Sequence, residues 1–383
     1  MNLDLLFAII FYSIILILFF KYRSRFEVQG KIVALFKTQL GITWMEKISN
    51  IAPRLTRFIG HVGTIVGFAG MVMILFLLIK GTITLLLVPE APPAVAPVLP
   101  GVSVPGLPNL SFWHWIIAIF LVATVHEFAH GIWARLYKVK IKSSGFLFLG
   151  PILGAFVEPE EKELAKKSKP AQLAVFAAGP FSNVIFGFLF LLLMNLATGP
   201  LYGSVYEGTG INIKTIIENQ PAAEAGITAP VTIYEINNHK TNNPDTFINA
   251  TSSLKPGDPI TLVTDKGTFT FKAGENPENK TKGFIGLADF SLKAEPKQLV
   301  IEKYGSFVPS FILWLNMLVF WLVVMNFGIG LFNLLPLGPI DGGRMFLTAM
   351  LGTFKKERTA KKLWGFVSFF CLMLIFINLA PYL

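Results

Sequence analysis

Residues 112–131 read FWHWIIAIFLVATVHEFAHG, and this stretch decides how the rest of the chain is interpreted. Its first part is apolar except for one histidine near its start, and its second part places His126, Glu127 and His130 in the same apolar segment. Ionisable side chains are expensive inside a membrane and occur there mainly where they serve a function. The stretch therefore predicts a membrane-spanning helix that carries a chemical site.

The composition of the 383-residue chain is that of a membrane protein. Hydrophobic residues make up 53% of it, the mean hydropathy is +0.60, and 15% of the residues are charged, against about 25% in soluble proteins. The net charge of +10 is clustered beside apolar runs, as in the cytoplasmic flanks of spanning helices, which argues against nucleic acid as a partner. The single cysteine, Cys371, excludes an internal disulfide framework and a cysteine-based metal cluster.

Six apolar stretches are long enough to cross a bilayer, which takes roughly 20 residues of helix. We expect spans near residues 2–20, 61–87, 112–136, 171–197, 308–332 and 362–382. The first is expected to be a retained anchor, because it is long and aromatic and is followed by the basic run KYRSR instead of a cleavage site.

The distribution of lysine and arginine predicts the orientation of these spans. Most of the 33 basic residues lie in three connections that we expect in the cytoplasm, 21–60, 135–170 and 344–362. The connection 88–110 has none and is expected outside. Both termini then face outward, and so does the long connection 200–305.

The connection 200–305 differs in character from the rest of the chain. It is polar, and it contains short alternating runs such as INIKTII, VTIYEI, PITLVT and GTFTFKA, separated by turn sequences. This pattern predicts a small external β-rich domain. Its segment PAAEAGI predicts a short helix that ends at Gly226.

The spacing of His126 and His130 is typical of a metal site. Residues four apart share one face of a helix, so both imidazoles can point at one ion. Glu127 lies about 100° around the helix, where it can reach a water on that ion and remove its proton. Zinc lowers the pKa of a bound water to about 7, so the pattern predicts zinc-assisted hydrolysis.

Two histidines leave a zinc ion short of ligands, and a third must come from elsewhere. The strongest candidate is Asp341 in the segment NLLPLGPIDGGR, residues 333–344, where prolines and glycines break the fifth span near the cytoplasmic side. The alternative is that Asp341 caps the N-terminus of a short cytoplasmic helix.

Three further residues interrupt the apolar spans. Gly179 and Asn183 lie in AAGPFSN, residues 177–183, and Asn333 begins the broken stretch of the fifth span. Small residues and asparagines can simply pack helices together; alternatively, the amides hold a substrate backbone or stabilise an oxyanion. Residues 145–159, GFLFLGPILGAFVEP, are too short to span and predict a re-entrant hairpin whose strand edge can bind a substrate.

These motifs closely resemble those of the site-2 protease family of intramembrane zinc metalloproteases. The match consists of the His126–His130 motif, Gly179-Pro-Phe-Ser-Asn183, and Asn333-Leu-Leu-Pro336 leading to Asp341-Gly342, with the hairpin between the first two. One departure is Ile340, where the family usually has leucine. The inserted external domain resembles a PDZ module in PAAEAGI and YEINNHKTNNPDTF.

The resemblance implies a function and a site. One zinc ion per chain would be bound by His126, His130 and Asp341, with Glu127 as the general base and Gly179, Asn183 and Asn333 at the substrate. The substrates would be transmembrane helices of regulatory proteins, cut after an upstream protease of site-1 type has removed their external part. The PDZ-like domain would filter substrates by size, and the protein would reside in the cell membrane among lipids.

The chain is accordingly expected to be an α-helical multi-pass membrane protein with six transmembrane helices and a small external β-rich PDZ-like domain. We divide it into an N-terminal two-helix region with a basic loop (1–110), the first half of a catalytic core (111–199), the PDZ-like domain (200–305), the second half of the core (306–350) and a C-terminal helix (351–383).

Three other functions are compatible with parts of the sequence. A metal-binding membrane transporter or channel would not need Glu127 or the Asp341 loop, and a catalytically silent PDZ scaffold would not need an intact HExxH motif. Membrane zinc proteases that trim prenylated tails typically take their third ligand from a downstream glutamate, which the Asp341 loop disfavours.

Overall fold

A computed structural model describes residues 3–30, 33–88, 91–104, 106–150, 152–277 and 279–382. Small parts of the predicted outer connection 88–110 and of the predicted hairpin 145–159, residues 89, 90, 105 and 151, lie outside this description. The helices are α1 Leu3–Lys21, α2 Ile42–Ile51, α3 Pro53–Leu87, α4 Phe112–Leu136, α5 Glu161–Ala165, α6 Lys169–Leu193, α7 Gly199–Val205, α8 Pro221–Glu224, α9 Pro244–Ser252, α10 Gln298–Tyr304, α11 Phe307–Asn333, α12 Asp341–Thr353 and α13 Glu357–Leu379.

The strands fall into two groups along the chain. The first group is β1 Phe26–Gln29, β2 Val33–Thr38, β3 Ile141–Leu149 and β4 Ile152–Pro159. The second is β5 Tyr206–Ile216, β6 Val231–Ile236, β7 His239–Lys240, β8 Pro259–Thr264, β9 Gly267–Lys272, β10 Gly274–Glu275, β11 Gly283–Phe284 and β12 Leu287–Pro296.

Six helices in the described residues are long and apolar enough to cross a membrane, which confirms the predicted number of spans. They form because long uncharged apolar runs can satisfy their backbone groups in lipid only as helices. Of these six, α4 is the most enclosed, with 44% of its most hydrophobic window buried, whereas none of that window is buried in α1. The helix with the histidine motif is therefore central to the membrane part.

Four glycines place α3 close to its neighbours. Gly60, Gly63, Gly67 and Gly70 recur at three- and four-residue spacing and are all buried. A Cβ on them would meet, in order, Trp133 of α4, Phe181 of α6, Met345 of α12 and Leu334 after α11. Small residues allow this close approach between helices in a membrane, so α3 packs against every helix that carries or adjoins one of the motifs.

A four-stranded antiparallel sheet, in the order β1-β2-β3-β4, lies beside these helices. The β3–β4 hairpin covers the stretch predicted to form a hairpin, while β1 and β2 form within what was predicted only as a basic loop. The end strand, β4, packs on α4. The sheet therefore brings a strand edge to the helix with the histidine motif.

The chain divides into two compact units. One consists of Met1–Val104, Asn109–Met194 and Met317–Leu383, and the other of Pro105–Pro108 and Asn195–Asn316. The second is the β-rich unit, which confirms the prediction of a β-rich region in this part of the chain. Its main sheet runs β12-β5-β6-β8-β9, with β7 beside β6.

The β-rich unit has an apolar core. The predicted runs INIKTII, VTIYEI, PITLVT and GTFTFKA contribute β5, β6, β8 and β9. Their alternation directs one face inward, where Ile211, Ile213, Ile233, Ile260 and Leu262 are fully buried. The short helix α8 is present as predicted, and Gly226 after it adopts a positive φ of 81°, a conformation that suits glycine at a helix end.

Candidate metal centre

The two histidines of α4 face the same side of the helix. Both are buried, at 7% and 9% exposure, and their Nε2 atoms lie 3.1 Å apart. This follows from their four-residue spacing, which returns the chain to the same helix face.

Asp341 contacts both imidazoles, although it lies 215 residues after His126 and 211 residues after His130 in the sequence. Its Oδ2 lies 2.9 Å from His126 Nε2 and 3.2 Å from His130 Nε2. Asp341 is the first residue of α12, the preceding cap position is Ile340, and no side chain caps this helix. The alternative interpretation of Asp341 as an N-cap is therefore wrong: its carboxylate is directed at the histidines.

Two glycines after Asp341 make this approach possible. A Cβ on Gly342 would collide with the backbone of Leu334 and Leu335, and one on Gly343 would collide with the backbone of Leu337 and Gly338. The start of α12 is thus pressed against the broken chain that follows α11. This contact holds Asp341 at the height of the imidazoles.

The three donor atoms fit a zinc ion. His130 Nδ1 donates to the Val175 carbonyl at 2.7 Å, so its Nε2 keeps the lone pair that a metal needs. Zinc at about 2.1 Å from each of three tetrahedral ligands would separate their donor atoms by about 3.4 Å. The observed separations of 2.9–3.2 Å are slightly shorter, so a small outward shift would suit the donors to the ion.

Gly179 of α6 leaves room beside these donors. A Cβ there would lie 2.5 Å from His126 Nε2 and closer still to His130 Nε2. Any side chain at this position would take up the space next to both nitrogen atoms. The sequence motif signalled this residue, but it was predicted to contact substrate, and that role stays a prediction.

Glu127 is held by the edge of the sheet. Its Oε2 accepts a hydrogen bond of 3.0 Å from the backbone N–H of Val157 in β4. Because backbone groups alternate along an antiparallel strand, those of Ala155 and Leu153 point to the same side as Val157, away from β3. The carboxylate therefore lies next to the outer edge of β4, beside which the described residues place no further strand.

The two predicted asparagines have different surroundings. Asn183 is completely buried, and its Nδ2 lies 3.1 Å from His126 Nδ1. Asn333 ends α11 and is partly buried, and its side chain makes no hydrogen bond with any residue that the structure describes. Substrate binding by either residue stays a prediction.

A group of charged and polar side chains connects all four strands of the sheet. The Ser143 hydroxyl donates to the Glu158 carboxylate at 2.7 Å, and Lys37 Nζ lies 3.2 Å from the same carboxylate. The hydrogen bond from Ser143 and the charge of Lys37 hold the pKa of Glu158 below its ordinary value. The hydrogen bond to Glu27, at 2.7 Å, raises the pKa of Lys37.

Two functional groups could not be found from the sequence because they belong to the backbone. The Val175 carbonyl orients His130, and the Val157 N–H holds Glu127. Every residue has these groups, so no residue type announces them. The hairpin prediction at 145–159 was the nearest signal for the second.

Two imidazoles and a carboxylate surround one point in this helical membrane protein, and a glutamate follows the first imidazole in the sequence. This arrangement is typical of a metallopeptidase. The model of peptidase family M50 matches residues 114–376, more than half of the chain. The chain belongs to this family, the site-2 protease family that its motifs resemble, and is a zinc metallopeptidase.

Of three similar proteins, two are named zinc metalloproteases. An uncharacterized protein of Methanocaldococcus jannaschii is 29% identical over 352 residues, which cover 89% of this chain and 85% of that protein. A putative zinc metalloprotease of Clostridium perfringens is 22% identical over 295 residues, covering 65% and 85%. Zinc metalloprotease RasP of Shouchella clausii is 23% identical over 266 residues, covering 58% and 61%.

One solved structure is similar to a part of the chain. The PDZ domain of an SdrC-like protein from Listeria monocytogenes shares 22% identity and covers 21% of this chain and 90% of that domain, with a TM-score of 0.19.

Proposed function

We propose that this protein is an intramembrane endopeptidase that hydrolyses peptide bonds within the transmembrane segments of membrane-anchored proteins. The observation that carries the proposal is the approach of Asp341 to within 2.9 Å and 3.2 Å of the two imidazoles of the HExxH helix. The helix that carries the two imidazoles is apolar enough to cross a membrane, which favours a peptidase that acts inside the membrane over one that acts in water.

The ligand roles follow from the donor set. His126 and His130, through Nε2, and Asp341, through Oδ2, would hold one zinc ion per chain, and Gly179 would leave it room. A zinc ion held there polarises a carbonyl oxygen and makes a water acidic near neutral pH.

Glu127 acts as the general base. One of its oxygens is fixed by the Val157 N–H, which leaves Oε1 to accept a proton from the attacking water. The same carboxylate then returns that proton to the amide nitrogen that leaves, so the hydrolysis of one peptide bond consumes one water.

The free edge of β4 presents the substrate. A transmembrane helix hides its peptide bonds in internal hydrogen bonds, so a segment must unwind before it can be cut. Pairing with Leu153 and Ala155 would replace the lost bonds by strand addition. Pairing of this kind would position the unwound backbone beside Glu127.

The proposal extends to topology and regulation. We place the active site in the membrane toward the cytoplasmic side, and both termini and the β-rich unit outside. The β-rich unit, as a PDZ-like domain, would filter substrates already shortened by an upstream protease.

The variant Glu127→Gln tests the proposal in the purified full-length protein with a membrane-anchored helical substrate. Zinc content should equal that of the wild type, while cleavage falls by about 10²–10⁴-fold, the usual contribution of a general base. Glu357→Gln, an exposed glutamate at the start of α13, is the matched control and should cleave normally.

Other outcomes identify the competing functions. A transporter would move zinc into vesicles equally well with either variant. A scaffold would bind its membrane partners with or without zinc and would cut none of them. Normal cleavage by Glu127→Gln would end the proposal.

A further inference from the structure

The rear nitrogens of the two candidate ligand histidines have different partners. His130 Nδ1 faces the Val175 carbonyl, an acceptor. His126 Nδ1 faces the carboxamide of Asn183 in α6, whose Nδ2 lies 3.1 Å away. Both histidines thus have an outer partner, but only that of His130 is by nature an acceptor.

Metal chemistry decides whether the oxygen or the nitrogen of the Asn183 amide should face His126 Nδ1. If His126 Nε2 gives its lone pair to a metal, the neutral ring carries its proton on Nδ1, and that N–H needs an acceptor. A carboxamide nitrogen has no lone pair to offer, whereas its oxygen accepts readily. With the Asn183 nitrogen in this position, two hydrogen-bond donors, Asn183 Nδ2–H and His126 Nδ1–H, would face each other.

A second observation points the same way. The Asn183 Oδ1 atom is buried and has no hydrogen-bond partner among the residues that the structure describes, and an unsatisfied buried acceptor costs about 1–3 kcal/mol. The two ends of a carboxamide have nearly the same shape and are assigned from their partners. A half-turn of this amide makes the His126 Nδ1–H the partner of Oδ1 and moves Nδ2 to the position that Oδ1 now holds.

We propose that Asn183 is a positioning residue for the metal: its Oδ1 accepts the Nδ1–H of His126 and so holds the Nε2 lone pair of that ring toward His130 and Asp341. This assignment rests on the proposed zinc site. It gives Asn183 a role that acts through His126 instead of on the substrate.

The packing around Asn183 supports this role over substrate binding. Asn183 is 0% exposed. On its other side α11 approaches so closely that a Cβ on Gly330 would lie 3.1 Å from Asn183 Cβ and 3.3 Å from the Pro180 carbonyl oxygen. A substrate backbone has no room to reach the amide, while the imidazole is already in contact with it.

The test is the zinc affinity of the purified full-length protein, measured by competition with a chelator. Asn183→Leu and Asn183→Ala remove the acceptor and should weaken zinc binding about 10–100-fold, as loss of an outer partner of a metal-bound histidine does. Asn183→Asp keeps an acceptor in place and should bind zinc at least as tightly as the wild type.

Asn326→Leu is the matched control. Asn326 is a similarly buried asparagine in a spanning helix, at 1% exposure, and its Nδ2 donates within its own helix to the Leu322 carbonyl. Its replacement should leave zinc affinity unchanged. A cobalt-substituted sample provides a second readout, because its absorption spectrum reports the ligand geometry of each variant.

Three results separate the possibilities. Wild-type zinc affinity in both Asn183→Leu and Asn183→Ala would overturn the inference, and would leave substrate binding as the role to examine. Equal loss in Asn183→Asp and Asn183→Ala would also overturn it, because a purely structural role predicts that pattern. If His130→Ala binds zinc like the wild type, the proposed zinc site itself fails, whatever Asn183 does.

Discussion

The metal-site region and the β-rich unit are both tightly packed, but they bury opposite kinds of side chain. The β-rich unit encloses aliphatic residues, with Ile211, Ile233 and Ile260 at 0% exposure. The helices α4 and α6 enclose His126, His130 and Asn183. The large apolar side chains of the membrane unit often point outward, as Ile17 does at 65% exposure.

The solvent explains this difference. In water, each buried apolar Å² contributes about 25 cal/mol, so the β-rich unit must fill its interior with aliphatic side chains. Between helices in lipid this driving force is missing, and packing of small residues and polar contacts take its place. The interior of the membrane unit is therefore available for chemistry, and substitutions there should affect function more than folding.

The largest expected effect is on zinc. Asp341→Ala removes one of the three proposed zinc donors, so zinc affinity should fall by more than the roughly 10–100-fold that loss of an outer partner causes, and cleavage should be lost with it. Asp245→Ala, an exposed aspartate of the β-rich unit, is the matched control. Metal content after dialysis measures the effect, and unchanged zinc in Asp341→Ala would refute the ligand assignment.

The second largest expected effect is a loss of zinc affinity when the space beside His126 and His130 is filled. Gly179→Ala places a methyl group against both Nε2 atoms, so we expect at least a tenfold loss of zinc affinity with little change in the rest of the fold. The nearest atoms to a methyl group in Gly187→Ala, in the same helix, belong to the ring of Phe327, at 3.0 Å, and that ring can shift. Equal zinc affinity in the two variants would show that the methyl group is accommodated.

The third effect belongs to the β-rich unit. Ile260→Ala leaves a cavity in an aliphatic core and should destabilise this unit by about 2–5 kcal/mol, without changing zinc content. Ile17→Ala in α1 should change stability by less than about 0.5 kcal/mol, since the side chain is mostly exposed. Hydrogen exchange of β8 in the full-length protein measures the first, and thermal unfolding the second. Similar losses for the two isoleucines would contradict the comparison.

The smallest expected effect is a dependence of the folding stability on pH. The pKa of Glu158 is lowered in the folded protein by the Ser143 hydroxyl and Lys37, so its contribution to stability is present above its ordinary pKa of 4.5 and is lost as the pH falls below that value. The contribution should stay below about 1 kcal/mol, because the pair is partly exposed. The difference in Tm between wild type and Glu158→Gln should shrink from pH 7 to pH 4; a constant difference would rule out the ion pair as its source.

The sequence predicted those parts of the molecule that depend on local pattern. Apolar length indicated the six spans, alternation indicated β5, β6, β8 and β9, and helical spacing put His126 and His130 on one face. Asp341 was chosen as the candidate third ligand because it lies in the broken stretch of the fifth span. No sequence pattern links it to the histidines, which lie more than 200 residues away.

What could not be predicted depends on contacts between distant segments. Strand β1 pairs with β2, and β2 pairs with a hairpin that lies more than 100 residues further along the chain. The short runs of both strands resemble a basic loop when taken alone. The orientation of Asn183 toward His126 is set by the packing of α6 on α4. Its residue type fits a substrate contact equally well.

The glycines of α3 have a consequence for how short a working version of this peptidase can be. The family model begins at residue 114, after α3 has ended, yet Gly60, Gly63, Gly67 and Gly70 fit against Trp133, Phe181, Met345 and Leu334. A protein trimmed to the family boundaries would expose these four side chains to lipid and leave the elements that carry the proposed zinc donors without their common neighbour. We therefore expect the minimal catalytic chain to include α3, which lies upstream of the region by which the family is recognised.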